Sequence, residues 1–128
     1  MQRDLLTAYP SAPFQVYVLW MPVLGRDRRD SWDPALIDDR RATHYWDAGA
    51  KVGRWLHGFA PFWDHPDPMA WDIGAVYGPT SVWPTDGPPT ALLAYAWTVT
   101  DDRAVLWRAI EPRLRGPWFR AVLPVALR

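Results

Sequence analysis

The stretch FQVYVLWMPVLGRD, residues 14–27, governs how the rest of the chain is read. Its first half is rich in β-branched and aromatic side chains. Val16 and Val18 fall on one face of a strand, Tyr17 and Leu19 on the other. Both faces are apolar, the pattern of a central strand covered on two sides. Gly25 then breaks the strand, and a charged loop follows. In α/β proteins the end of such a strand is where chemistry usually sits. Here that place receives Trp20, Met21, Pro22, Val23 and Leu24, none of which is an acid, a base or a nucleophile.

Composition narrows the options. A chain of 128 residues, nearly half of them apolar, fits one domain with a real core. The expected division is a lead-in over residues 1–13 and one domain over 14–128, its apolar tail packed back on the body. Formal net charge is zero, so neither nucleic acid nor an anionic membrane is attracted at long range. The bases are almost all arginine and the acids almost all aspartate, a bias that fits a GC-rich genome. The chain has no cysteine, which excludes disulfides, thiolate metal sites and thiol redox chemistry together. No signal-peptide segment and no apolar run of about 18–20 residues is expected, and the cytoplasm is the default location.

Outward from the first strand, Asp33 and Pro34 form a helix start, with an N-cap residue and then proline in the first turn, giving a short helix to about Asp38. ATHYW, 42–46, has strand composition. Asp47 can cap a helix over 47–59, because Val52, Trp55, Leu56 and Phe59 repeat at helical spacing. AWDIGAVY, 70–77, reads as a strand, with Val82 and Trp83 starting a return strand after a turn. ALLAYAW, 91–97, fits strand or helix. Thr100 or Asp101 caps a helix to about Ile110, continuing past Pro112 to Arg115. Strand, helix, strand, helix, hairpin and helix together suggest one mixed sheet with helices on its faces.

That order, with Trp20 at the end of the first strand, resembles the thioredoxin fold. VYVLWMPVL resembles the segment in which a central strand runs into Trp-Cys-x-x-Cys. Met21 falls at the first cysteine position, Leu24 at the second, and Pro22 and Val23 between them. THYWD resembles the second strand, and AWDIGAVYG the strand after the cis-proline, whose place is taken by Ala70 with Pro68 two residues early. The chain also resembles a group of cysteine-free, thioredoxin-like bacterial proteins to which no activity is attached. The resemblance implies a single-domain, thioredoxin-like α/β three-layer sandwich without thiol–disulfide activity. It also implies a degenerate binding groove at Trp20, Met21, Pro22, Leu24, Ala70 and Trp71.

Each candidate for chemistry has a plainer alternative. Met21 and its neighbours could line that groove or simply pack in the core, since methionine adapts to irregular gaps. His44, His57 and His65, with Asp47, Asp64 and Asp67 nearby, could hold a divalent metal. No His-Glu-x-x-His or His-x-x-x-His spacing supports this, and for His57, at the edge of the apolar stripe, a half-buried histidine hydrogen-bonded to backbone is the alternative. Ser11, Ser31 and Ser81 lie in no nucleophile motif, and the glycines cradle no phosphate. The interleaved charges of Arg26–Asp39 read as a solvated loop. Ten tryptophans exceed what a chain this size can fully bury. FAPFWDHP and SVWP put aromatics in loops, where a binding or self-association surface can form.

The expectation is therefore a non-redox module that binds a protein or peptide, without cofactor, nucleic acid or membrane, and with homo-oligomerisation open. The competing expectation is a metal-dependent enzyme built on the three histidines.

Overall fold

The computed structural model describes residues 2–99, 101–114 and 119–124. The chain is mixed α/β, with strands β1 (Phe14–Trp20), β2 (Ala42–Trp46), β3 (Ile73–Tyr77), β4 (Leu92–Trp97) and β5 (Phe119–Pro124). Two α-helices, α1 (Lys51–His57) and α2 (Arg103–Ile110), are the longest helical elements among the described residues, and a π-helical turn covers Gln2–Thr7.

The strands form one sheet in the order β2-β1-β5-β3-β4. β1 runs parallel to β2 and to β5, and β3 runs antiparallel to β5 and β4. The C-terminal tail thus supplies a central strand, which the sequence reading took only as a packed tail. Its insertion separates β1 from the β3–β4 pair. The link from β1 to β2, residues 21–41, contains 3-10 turns at Arg29–Ser31 and Pro34–Ile37 but no α-helix. Asp33 does cap the second turn, accepting from the Ala35 N–H at 2.9 Å, and Pro34 follows it as expected. The turn stops at Ile37, which is buried.

β1 shows why its sequence is apolar on both sides. Phe14, Val16, Val18 and Trp20 are all at most 1 % exposed. They face a core built from Leu5, Leu6, Val76, Leu106, Ile110 and Leu114. Tyr17 and Leu19 point to the other face, where a second cluster gathers Leu56, Phe62, Ala70, Ile73, Ala75 and Tyr77. That face is only partly covered, and Gln15, Tyr17 and Leu19 are half-buried. All five residues of β3 are buried, as a strand clothed on both sides should be.

α1 begins at Lys51 rather than Asp47, but Asp47 still organises its start. The Asp47 N–H donates to the Trp20 carbonyl at 2.8 Å, and its carboxylate accepts from the Val52 N–H at 2.7 Å. Phe59 lies beyond the helix end, where its ring meets Trp55 at 5.2 Å. The expected return strand at Val82–Trp83 does not join the sheet, and the next strand in sequence to pair with β3 is β4, after a connection over 78–91. α2 ends at Ile110 and is followed by a 3-10 turn, Glu111–Arg113. Thr100 as its cap, Arg115 as its end, and Trp118 and residues 125–128 of the tail lie outside the described residues.

The N-terminal turn is fastened by Arg41. Its buried guanidinium donates to the carbonyls of Leu6, Tyr9 and Ala12 and to both carboxylate oxygens of Asp39. The guanidinium also lies 4.6 Å above the Phe14 ring. Leu5 and Leu6 are thereby held in the core, so the expected lead-in contributes buried side chains at these positions.

Candidate functional site

The structure seals the end of β1. Met21 is 0 % and Ala70 0 % exposed, and Trp20 is 1 %. Met21 lies against Gly53 in α1. A Cβ placed on Gly53 would come within 3.1 Å of the Met21 sulfur and 2.8 Å of the Ala70 carbonyl oxygen. The Ala70 N–H donates back to the Gly53 carbonyl at 2.9 Å. Met21, Gly53 and Ala70 therefore do converge, but as a close-packed knot that only glycine permits.

Trp20 turns its indole N–H onto His44 Nδ1 at 2.9 Å, its ring within 15° of the imidazole plane, and meets Trp32 edge-on at 5.3 Å. Pro22 and Trp71 are half-buried and Leu24 is exposed. The turn after Trp20 is closed by Asp27, whose carboxylate accepts from the N–H groups of Val23 and Leu24. The Trp71 indole donates to the Asp67 carboxylate. The expected groove at Trp20, Met21 and Ala70 is thus filled by its own residues. Cis bonds occur at Ala60–Pro61 and Trp97–Thr98, and the 69–70 bond is not among them.

The three histidines do not assemble into a metal centre. His44 Nδ1 is taken by Trp20, so Nε2 carries the proton and donates to the Ile37 carbonyl at 3.0 Å. His65 repeats the arrangement: Nδ1 accepts from the Asp67 N–H at 3.2 Å and Nε2 donates to the Trp71 carbonyl at 2.9 Å. His57 Nε2 donates to the His65 carbonyl at 3.3 Å. Among the described residues, no group of three or more histidines and carboxylates could hold a metal ion.

Exposed aromatics mark a different place. A cleft of about 760 Å³ opens over the half-covered face of β1 and β2. Tyr17, Leu19 and Tyr45 form its floor, Lys51 and Val52 of α1 one wall, and Val82 and Trp83 the other, with Trp46, Asp47 and Ser81 completing it. None of the six residues expected at the end of β1 lines it.

The Trp83 wall is held by its own loop. Val82 and Thr90 bond through the Thr90 N–H to the Val82 carbonyl and through the Val82 N–H to the Thr90 hydroxyl. Ser81 donates to the Thr90 carbonyl at 2.8 Å, and the Trp83 ring rests 5.7 Å from Tyr77. The pairing at Val82 is what the sequence mistook for a return strand.

Eight large apolar side chains among the described residues are exposed, and three of them, Tyr45, Val82 and Trp83, belong to this cleft. Lys51, the chain's one lysine, stands at its edge, exposed and with no ion-pair partner among the described residues. The Asp47 carboxylate is turned to the Val52 N–H.

Comparison with known proteins adds no relative: no family model, no curated protein and no solved structure matches the chain. Among the described residues no helix is long and apolar enough to cross a membrane.

Proposed function

We propose that the protein is a non-redox binding module whose ligand site is the cleft between α1 and the 78–91 connection. The observation that carries this reading is the cluster of exposed apolar side chains, Tyr45, Val82 and Trp83, around a concavity of ligand size. Aromatic and branched walls with few polar groups suit an apolar side chain of a partner peptide. The uncompensated Lys51 ammonium at the edge favours an acidic group beside it. The absence of cysteine removes thiol–disulfide exchange from the options.

The thioredoxin-like reading belongs to the same proposal. The parallel β1–β2 pair ending in Trp20 and the antiparallel β3–β4 pair support it. β5 between β1 and β3, and a β1–β2 crossover without an α-helix, count against it.

Selection from a displayed random-peptide library tests the site. Binders carrying an aromatic or branched residue near an acid are expected, with at least about tenfold weaker binding to Tyr45→Glu and Trp83→Ala. Binders that hold these two variants as tightly as the parent protein would overturn the assignment.

A further inference from the structure

The sealed end of β1 is flanked by two histidines in the same state. Trp20 immediately precedes Met21, and Trp71 immediately follows Ala70. His44 accepts the Trp20 indole N–H at Nδ1 and donates from Nε2 to the Ile37 carbonyl. His65, 3 % exposed, accepts the Asp67 N–H at Nδ1 and donates from Nε2 to the Trp71 carbonyl. Indole and peptide N–H groups only donate and a carbonyl only accepts, so both rings are neutral with the proton on Nε2.

A second proton fits neither contact. On Nδ1 of His44 it would set donor against donor and leave the buried Trp20 indole without its acceptor. On Nδ1 of His65 it would face the Asp67 N–H. The carboxylate of the same aspartate could take it, but that carboxylate holds the Trp71 indole. Either rearrangement frees a tryptophan next to the knot of Met21, Gly53 and Ala70.

Against His44 lie Trp20 of β1 and Trp32 and Ile37 of the β1–β2 crossover, none of them ionisable. The crossover's Asp27, Asp33 and Asp39 are engaged by Val23 and Leu24, by Ala35 and by Arg41. Its Arg26, Arg28, Arg29, Asp30, Asp38 and Arg40 are exposed. Around His65 stand the rings of Trp71 and, from β4, Trp97. Asp64 and Asp67 flank it in sequence, Asp72 follows Trp71, and His57 of α1 donates to its carbonyl. His57 itself differs. Its Nδ1 has no hydrogen-bond partner among the described residues, so it can gain a proton without losing a bond.

We infer that His44 and His65 form a pH-sensitive latch, which keeps the knot closed while both rings are neutral and lets it open when they are protonated. Histidine is the side chain that ordinarily titrates between about pH 5 and 8. The open form binds protons that the closed form cannot, so each histidine favours opening by up to about tenfold per pH unit below its titration.

The absence of cysteine makes the knot readable by thiol labelling. Met21→Cys puts a thiol inside it, and Leu24→Cys gives an exposed reference that corrects for the reagent's own pH dependence. From about pH 7.5 to about 5.5, labelling of Met21→Cys by an aromatic disulfide, relative to Leu24→Cys, should rise at least about tenfold. Ala75→Cys, buried in β3, should stay protected throughout. The rise should persist with His57→Gln and disappear when His44→Gln and His65→Gln are combined. Ring ¹⁵N spectra of the parent chain give a second reading that needs no substitution. Nδ1 of His44 and His65 should gain its proton over the pH range in which the Trp20 and Trp71 indole signals move. A labelling ratio indifferent to pH, a rise that survives the loss of both histidines, Ala75→Cys labelled in step with Met21→Cys, or protonation with the indoles unmoved overturns the inference.

Discussion

Met21→Ala separates a packing role from a ligand-binding role at the end of β1. The side chain is fully buried, with its sulfur and terminal methyl pressed towards Gly53. Truncation removes three heavy atoms beyond Cβ. At about 0.8 kcal/mol for each methylene-sized group, the transfer term alone is about 2.4 kcal/mol. The floor of the resulting cavity is helix α1 and the Ala70 backbone, which are tied together by the Gly53–Ala70 hydrogen bond and cannot collapse freely. A cavity term therefore adds to the loss, placing the total at about 3–4 kcal/mol within the range of about 2–5 known for buried methionine and leucine truncations. Urea unfolding followed by tryptophan fluorescence measures this directly. Leu24→Ala, three residues further along but half exposed, is expected to change stability by no more than about 0.5 kcal/mol. Equal, small effects of the two substitutions would refute the claim that Met21 is a core residue.

Further outcomes follow from the same contacts. Gly53→Ala should destabilise by about 1–3 kcal/mol despite the better helix propensity of alanine, because its Cβ meets a backbone carbonyl. In a Met21→Ala background most of that loss should remain, because the Ala70 oxygen and not the sulfur is the nearer obstacle; thermal unfolding of the double variant reads it. Arg41→Met should cost about 3–5 kcal/mol by leaving Asp39 and three carbonyls without their donor, seen as a lower urea midpoint. The Arg41 hydrogen bond holds the Asp39 carboxyl at about 2, below its ordinary 3.8. A carboxyl lowered in the folded state stabilises fully above its unfolded pKa, and this contribution fades as pH falls from about 4 to 2. Stability measured across that window should fall less steeply in Asp39→Asn than in the parent.

How far the sequence was legible depends on which physical signal each element carried. β1, β2 and β3 were readable because β-branched and aromatic residues alternate between breakers, and the Asp33–Pro34 start was readable because capping is local. β5 was missed because an apolar tail has the same composition whether it packs as coil or as a strand, and pairing with β1 is a contact across the whole chain. β4 was ambiguous because Ala, Leu, Tyr and Trp suit either period. The N-terminal turn was discounted for its prolines, while the long-range Arg41 clamp that holds it has no local signature.

The site was less legible still. The run Trp20–Leu24 was read as one side of a groove shared with Ala70, whereas the structure packs Met21 and Ala70 together in the core. That packing depends on the absence of a side chain at Gly53, which spacing does not reveal. The cleft draws on β1, β2, α1 and the 78–91 connection, so no contiguous motif could announce it. The available hints were Tyr17 and Leu19 on the second face of β1, and a tryptophan in SVWP, already noted as a loop aromatic.

A peptide obtained by display selection, titrated into ¹⁵N-labelled protein, provides the most direct test, because each indole N–H gives its own NMR signal. The account predicts that the Trp83 and Trp46 indoles and the Tyr45 and Val82 amides shift with added peptide, while the Trp20 indole, bonded to His44, and the Met21 amide stay in place. Shifts centred on Trp20 and Met21, with Trp83 unmoved, would contradict it and return the binding site to the end of β1.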